Sequence, residues 1–182
     1  MRKIVAAINM TVDGYADHTT INPDAEIHDH YTDLINSADT ILYGRTTYQL
    51  MEYWRDFLEN TSDQKDMNDF AKAIDKIVKV VFSKTLSSVD WKSAQLAKGN
   101  LKDVVELLKQ QKGTDIFVGS PSLIVQLLEL NLLDELQLCI HPVIVGEGLP
   151  LFKNITQRRE FKLNKTKLFG SGAVVMYYEV VK

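Results

Sequence analysis

Three short segments carry the residue types that hold anions: Gly44-Arg45-Thr46-Thr47, Ser83-Lys84-Thr85 and Gly119-Ser120-Pro121-Ser122. Each sits where a β-type run ends and a helix is expected to begin. In an open α/β sheet such strand ends converge on one crevice, where ligands bind. Glycine lets the backbone come close to a phosphate, and the free N–H groups of a helix's first turn point at it. Pro121 suits the first helical position, whose N–H is not needed, while Ser120 and Ser122 can still donate. Arg45 and Lys84 add positive charge. Capping and turn formation explain any one segment alone. Three together, two of them with a cation, bring a phosphate-bearing ligand level with that plainer reading.

Other chemistries find no support. There is no G-x-x-x-x-G-K-[ST] phosphate loop and no G-x-S-x-G elbow, and Gly146-x-Gly148 lacks the third glycine of a dinucleotide fingerprint. His28 and His30, two apart at a helix start, point about 160° from each other and lack a third ligand, so no metal site is expected. Cys139 is the only cysteine, which excludes an internal disulfide and a Cys-x-x-Cys centre and fits a reducing, cytoplasmic setting. The 182 residues carry 21 Lys and Arg against 24 Asp and Glu, a formal charge of −3. Neither a nucleic-acid nor a membrane partner is expected from that balance.

The elements that must position these residues alternate. Lys3–Met10 reads as a strand, and Asp13-Gly14 as a turn before a polar loop through Asn22-Pro23-Asp24. Ile27, Tyr31, Leu34, Ile35 and Ala38 then recur at helical spacing. Thr40–Tyr43 is a strand, followed by a helix with a Thr46-x-x-Gln49 capping-box pattern. A short helix is predicted near Asn68–Ala73 and a strand over Ile77–Phe82. Asn100 caps a helix that Gly113 stops, and Asp115–Val118 leads into a helix reaching Leu130. Glu135–Val145 reads as a long strand. Glu160–Phe169 and Ala173–Val181 form a hairpin about Gly170-Ser171-Gly172. This order predicts an α/β fold, one three-layer domain over residues 1–182. Its mixed sheet would be parallel in the middle, antiparallel at the C-terminal hairpin, and flanked by helices.

Ala6-Ala7-Ile8-Asn9-Met10-Thr11-Val12-Asp13-Gly14 resembles the opening strand and loop of the dihydrofolate-reductase-like superfamily. Ile41–Tyr48 is similar to its Gly-Arg-x-Thr segment, Val81–Leu86 to its Ser-Arg/Lys strand end, and Val118-Gly119-Ser120 to its pyrophosphate loop. Leu132–Leu136, His141–Gly148 and Pro150-Leu151-Phe152 narrow the resemblance. They look like the reductase domain that closes the bifunctional deaminase–reductase of riboflavin synthesis, and its free-standing relatives. The one departure among the phosphate motifs is Ser120, where the family carries a second glycine.

The resemblance implies NADPH across the sheet's C-terminal edge. Gly44, Arg45, Thr46 and Thr47 would hold phosphates, Ser83 and Lys84 the adenosine 2′-phosphate, and Gly119, Ser120, Pro121, Ser122 and Leu123 the pyrophosphate. Ala7 would face the nicotinamide through its backbone. A small heterocyclic or sugar-amine substrate would sit near Asn9, Asp13 and Tyr48, with Arg55, Arg158 and Arg159 as candidates for a substrate phosphate. Asp13, Asp24 and His28 are the candidates for a proton donor. The alternatives are a non-catalytic NADP-binding module or dimeric scaffold, and a dihydrofolate reductase. A homodimer is expected, because Ala173–Tyr178 is apolar on both faces of its strand and the riboflavin-type relatives pair.

Overall fold

A computed structural model of the protein describes residues 1–19 and 21–182. Its elements in chain order are β1 (Ile4–Thr11), α1 (Ala25–Ser37), β2 (Ala38–Gly44), α2 (Arg45–Met51), a 3₁₀ turn (Glu52–Arg55), α3 (Asp56–Glu59) and α4 (Lys65–Lys76). They continue with β3 (Val78–Phe82), β4 (Ala94–Leu96), α5 (Leu101–Gln110), β5 (Asp115–Val118), α6 (Pro121–Glu129), β6 (Glu135–His141), β7 (Phe161–Leu168) and β8 (Val174–Val180).

Ile4, Val5, Ala6, Ala7 and Ile8 are buried in succession, so β1 meets water on neither face and must lie inside a sheet. Among the described residues the sheet has eight strands in the order β4-β3-β2-β5-β1-β6-β8-β7. The pairs from β4 to β6 are parallel, and β6–β8 and β7–β8 are antiparallel. On one face Ile4, Ala6, Ile8, Leu42, Val80 and Ile116 pack on α5 and α6 through Val105, Leu123, Ile124 and Leu127. On the other, Ala7, Ile41, Tyr43, Val81 and Phe117 meet Ile35 of α1 and Ala73 and Ile74 of α4. Farther along that face, Ile27 of α1 covers Cys139, Val175 and Tyr177. This is the dihydrofolate-reductase-like architecture.

Local chemistry sets the helix starts. The Asp24 carboxylate accepts from Ile27 N at 3.0 Å, Asn100 Oδ1 from Asp103 N at 3.0 Å, and Pro121 opens α6. Elsewhere the structure departs from the sequence reading. α2 begins two residues earlier than a Thr46 cap requires, so Gly44 is the N-cap and no side chain closes a capping box. α4 spans Lys65–Lys76, because Ala71, Ala73 and Ile74 bury one face against the sheet. β6 stops at His141: Pro142 has no N–H for a ladder, and the Val145 and Gly146 N–H groups turn to Asp13 instead. β4 was not legible, being only three residues long.

Candidate active site

β3, β2, β5, β1 and β6 are neighbours, so their C-terminal ends form one edge. There the Ser120 hydroxyl, which is buried, accepts from Gly44 N at 2.9 Å and joins the loop after β5 to the end of β2. Arg45 Nη1 donates to Thr85 Oγ1 at 3.0 Å and joins the loops after β2 and β3. Ser83 Oγ accepts from Thr85 N and Leu86 N at 3.1 and 2.9 Å, so it shapes the turn that exposes Lys84. All three anion-type segments therefore meet.

Two glycines leave room among them. A Cβ on Gly44 would lie 3.5 Å from Ser122 Oγ and 3.9 Å from Ser120 Oγ, and a Cβ on Gly119 would lie 3.9 Å from Ala7 O. The space is lined by hydroxyls and by the opening turn of α6. Leu123 N and Ile124 N already donate to Ser120 O, and Pro121 has no N–H. Ser122 is thus the α6 residue with groups to offer, and the Leu123 side chain lies in the core. Thr46 and Thr47 lie in the first turn of α2, exposed and half-buried. An anion with backbone-close phosphates fits this cradle.

A second cluster lies at the ends of β1 and β6. Asn9 Oδ1 takes two contacts, from Tyr31 OH at 3.2 Å and from His141 Nε2 at 3.0 Å. Cys139 Sγ is 3.6 Å from the same His141 nitrogen. Burial pushes His141 below its ordinary value, opposed by the charge of Asp24, and pushes the Cys139 thiol up to about 12. It holds the Tyr31 hydroxyl protonated, well above the usual phenol range. The sequence reading gave Tyr31 and His141 no site role. The signal for His141 was a histidine before proline at a strand end.

The expected acids and several expected ligands are placed elsewhere. The Asp13 carboxylate accepts from Thr11 Oγ1 at 2.6 Å, Gly146 N at 2.8 Å and Val145 N at 3.2 Å. These bonds, the Thr11 hydroxyl above all, hold it below the usual carboxylate range. It ties the turn after β1 to the loop after β6. His28 Nδ1 is 2.7 Å from Asp66 Oδ2, and its ring packs on Trp54 and Phe70, between α1 and α4. Tyr48 is buried against Trp91 with its hydroxyl 3.4 Å from Asp90. Asp24 caps α1 with its charge felt at His141 and Cys139, so of the three acid candidates it alone belongs to this cluster.

The arginines suggested for a substrate phosphate are engaged too. Arg55 bonds Asp90 at 2.9 Å, and Arg158 bonds Glu160 at 2.8 Å. Arg159 bonds Asn131 at 2.5 Å beyond the far end of α6, at the opposite edge of the sheet. Among the described residues no group of three or more His, Cys, Asp or Glu is placed to hold a metal ion, and no helix is long and apolar enough to cross a membrane.

An eight-stranded mixed sheet in this order, parallel through its middle and antiparallel at its C-terminal strands, is the dihydrofolate-reductase-like fold. The backbone superposes on dihydrofolate reductase from Enterococcus faecalis, solved with NADP(H), with a TM-score of 0.61 at 11% identity, covering 99% of this chain and 97% of that one. More particularly, the chain belongs to the RibD C-terminal domain family, a family of NAD(P)H-dependent reductases, whose model matches residues 2–175. A protein of Shewanella sp. PV-4 named for riboflavin biosynthesis superposes with a TM-score of 0.74 at 20% identity, covering 99% of both chains. The uncharacterized protein YyaP of Bacillus subtilis (strain 168) is 35% identical over 181 residues, 97% of this chain and 94% of that one.

Proposed function

We propose that the protein is a cytoplasmic, NADPH-dependent reductase that delivers a hydride to a small heterocyclic or sugar-amine substrate. It would be similar in this to 5-amino-6-(5-phosphoribosylamino)uracil reductase of riboflavin synthesis. The observation that carries the reading is the joined edge: Gly44 and Gly119 open the backbone, Ser120 ties it together, and Ser122 and Arg45 face the space. Arg45 and Lys84 are exposed cations on adjacent strand ends, suited to the phosphate that separates NADPH from NADH. The nicotinamide supplies the hydride when bound, and the chain's task is to orient it and exclude water. Ala7, with its carbonyl beside Gly119, forms the floor, and the Asn9–Tyr31–His141 cluster receives the substrate.

The active form is a homodimer in this reading. Ala173, Val175 and Tyr177 are buried under α1, but Val174 and Met176 on the other face of β8 are only half-buried. Val174 lies in register between Ile140 and the 72% exposed Leu168, an apolar row suited to a second copy.

Titrating the protein with NADPH and NADH, read by quenching of the two tryptophans, tests the assignment. Saturable NADPH binding, tighter than NADH by tenfold or more, is expected. Equal affinities, or no binding, would overturn it.

A further inference from the structure

A cavity of about 160 Å³ lies at the N-terminal ends of the parallel strands, on the edge opposite the three anion-type segments. Its floor is the face of the sheet that α1 covers. Val5 of β1 stands in register between Phe117 of β5 and Glu135 of β6, and Gln137 follows Glu135 on the same face. The last turn of α1, with Leu34 and Ser37, forms the roof. Ala38 and Asp115, which open β2 and β5, close one side.

The polar groups of this cavity accept and do not donate. Gln137 is only 5% exposed. Its Nε2 donates to Glu135 Oε1 at 2.7 Å, which fixes the amide, and its buried Oε1 is left without a hydrogen-bond partner. A buried acceptor is costly to leave unpaired, so a donor is missing here. The Ser37 hydroxyl cannot supply it, because its proton goes to Leu34 O at 2.7 Å. Lys3 gives Asp115 Oδ1 its main-chain N–H at 3.2 Å, and among the described residues neither Asp115 nor Glu135 has an ion-pair partner. No Lys, Arg or His lines the cavity, and the last turn of α1, the negative end of that helix, carries no basic residue. Asp115 and Glu135 lie on the two strands that flank β1, so about 10 Å of sheet separates their backbones, with apolar Val5 and Phe117 between.

We infer that this cavity is a binding site for a short aliphatic diamine. One ammonium donates to Glu135 and to Gln137 Oε1, the other meets Asp115, and the methylene chain lies on Val5, Leu34 and Phe117. An ammonium has three protons and no acceptor, which complements a lining of acceptors. A metal ion fits less well: it has no use for the apolar walls, and the described residues hold no group of three or more acidic, His or Cys ligands. The volume suits the ligand, since a cavity of roughly 150 Å³ takes up a benzene-sized molecule. The site lies at the strand ends opposite the proposed cofactor and is independent of the reductase reading.

The test titrates the full-length protein with 1,4-diaminobutane at constant ionic strength, read by calorimetry, beside 1-aminobutane and 1,4-butanediol. Saturable binding of one diamine per chain is expected, at least tenfold tighter than the monoamine, with no binding of the diol. Glu135→Gln and Asp115→Asn should each weaken the diamine by tenfold or more, with melting temperatures near the wild type as the control for folding. Gln137→Leu removes the unpaired oxygen at similar volume. It should weaken the diamine several-fold and yet melt at or above the wild-type temperature, a combination that a damaged fold would not give. Absence of saturable diamine binding at millimolar concentration would leave the cavity to water and overturn the inference. Equal affinity for diamine and monoamine would do the same, as would unchanged affinity in the Glu135→Gln and Asp115→Asn proteins.

Discussion

The Ser120 hydroxyl accepts the Gly44 N–H at 2.9 Å across 76 positions of chain, and that single bond sets the spacing of the two loops that face the proposed cofactor. Ser120→Ala would leave the Gly44 N–H without its acceptor. Stability should fall by about 1–2 kcal/mol in denaturant titration. NADPH affinity should fall with it, since the cradle between Gly44 and Ser122 loses its fixed width. Unchanged affinity would show that the loops hold their spacing by other means.

Arg45 and Lys84 should discriminate between nucleotides. Replacing either with Ala should weaken NADPH by about 1–3 kcal/mol, the range for hydrogen bonds to a charged group, and leave NADH nearly unchanged. Among the described residues Arg45 is held in place by the Thr85 hydroxyl and by no carboxylate, so its charge remains available. Thr85→Val should therefore show a smaller loss of the same sign.

Asp24 has two tasks that substitution can separate. Asn is as good an N-cap as Asp, whereas Ala costs about 1 kcal/mol. Asp24→Asn should keep the melting temperature and remove the charge facing His141. If Asp24 supplies the proton, Asn and Ala variants lose the same ~10²–10⁴-fold in rate despite different stabilities. With dihydrofolate the wild type should be slow, because on α1 His28, one of the expected proton donors, is turned to Asp66. NADPH oxidation within tenfold of a true dihydrofolate reductase would contradict this.

His30 should make the fold acid-sensitive. Burial lowers it to about 4, with Lys167 and Lys165 acting in the same direction and Asp33 against them. Its ring packs on Tyr31, Phe169 and Tyr177. The unfolded chain takes up this proton near pH 6.5 and the folded chain only near 4, so stability is lost as pH falls through that window. The loss attributable to His30 is roughly 2–3 kcal/mol. His30→Phe should flatten the difference between pH 7 and pH 4.5, and an equally steep profile in that variant would exclude His30 as its source.

The apolar row Ile140–Val174–Leu168 carries the dimer prediction. Light scattering at micromolar concentration should give twice the chain mass for the wild type and the chain mass for Leu168→Lys. A monomeric wild type would refute the pairing.

Much of this was legible in the sequence because it rests on local rules. Asn100 announced its helix by capping, Pro121 by its missing N–H, and the hairpin by Gly170-Ser171-Gly172. The strand ends Gly44, Ser83 and Gly119 stood out because strand-to-helix junctions that hold phosphate need small residues and free N–H groups. The parallel order of the strands followed from the alternation of strand and helix.

What only the tertiary structure decided were pairings between distant residues, which leave no periodic trace. Nothing within a few residues of Asp13 says that its carboxylate serves Gly146, so it read equally well as an acid. Tyr31 and His141 converge on Asn9 because α1 crosses the sheet above β1 and β6, a crossing set by Ile27 and Ile35 finding their cores. Lys79 lies in β3, fully buried, with its ammonium bonded to Asp75 O, Ile77 O and Ser93 Oγ and set 4.1 Å from the Trp91 ring. Its sequence neighbours predicted only an ordinary strand lysine. Sequence pattern reports which face of an element is buried, and the fold alone determines what waits on the other side.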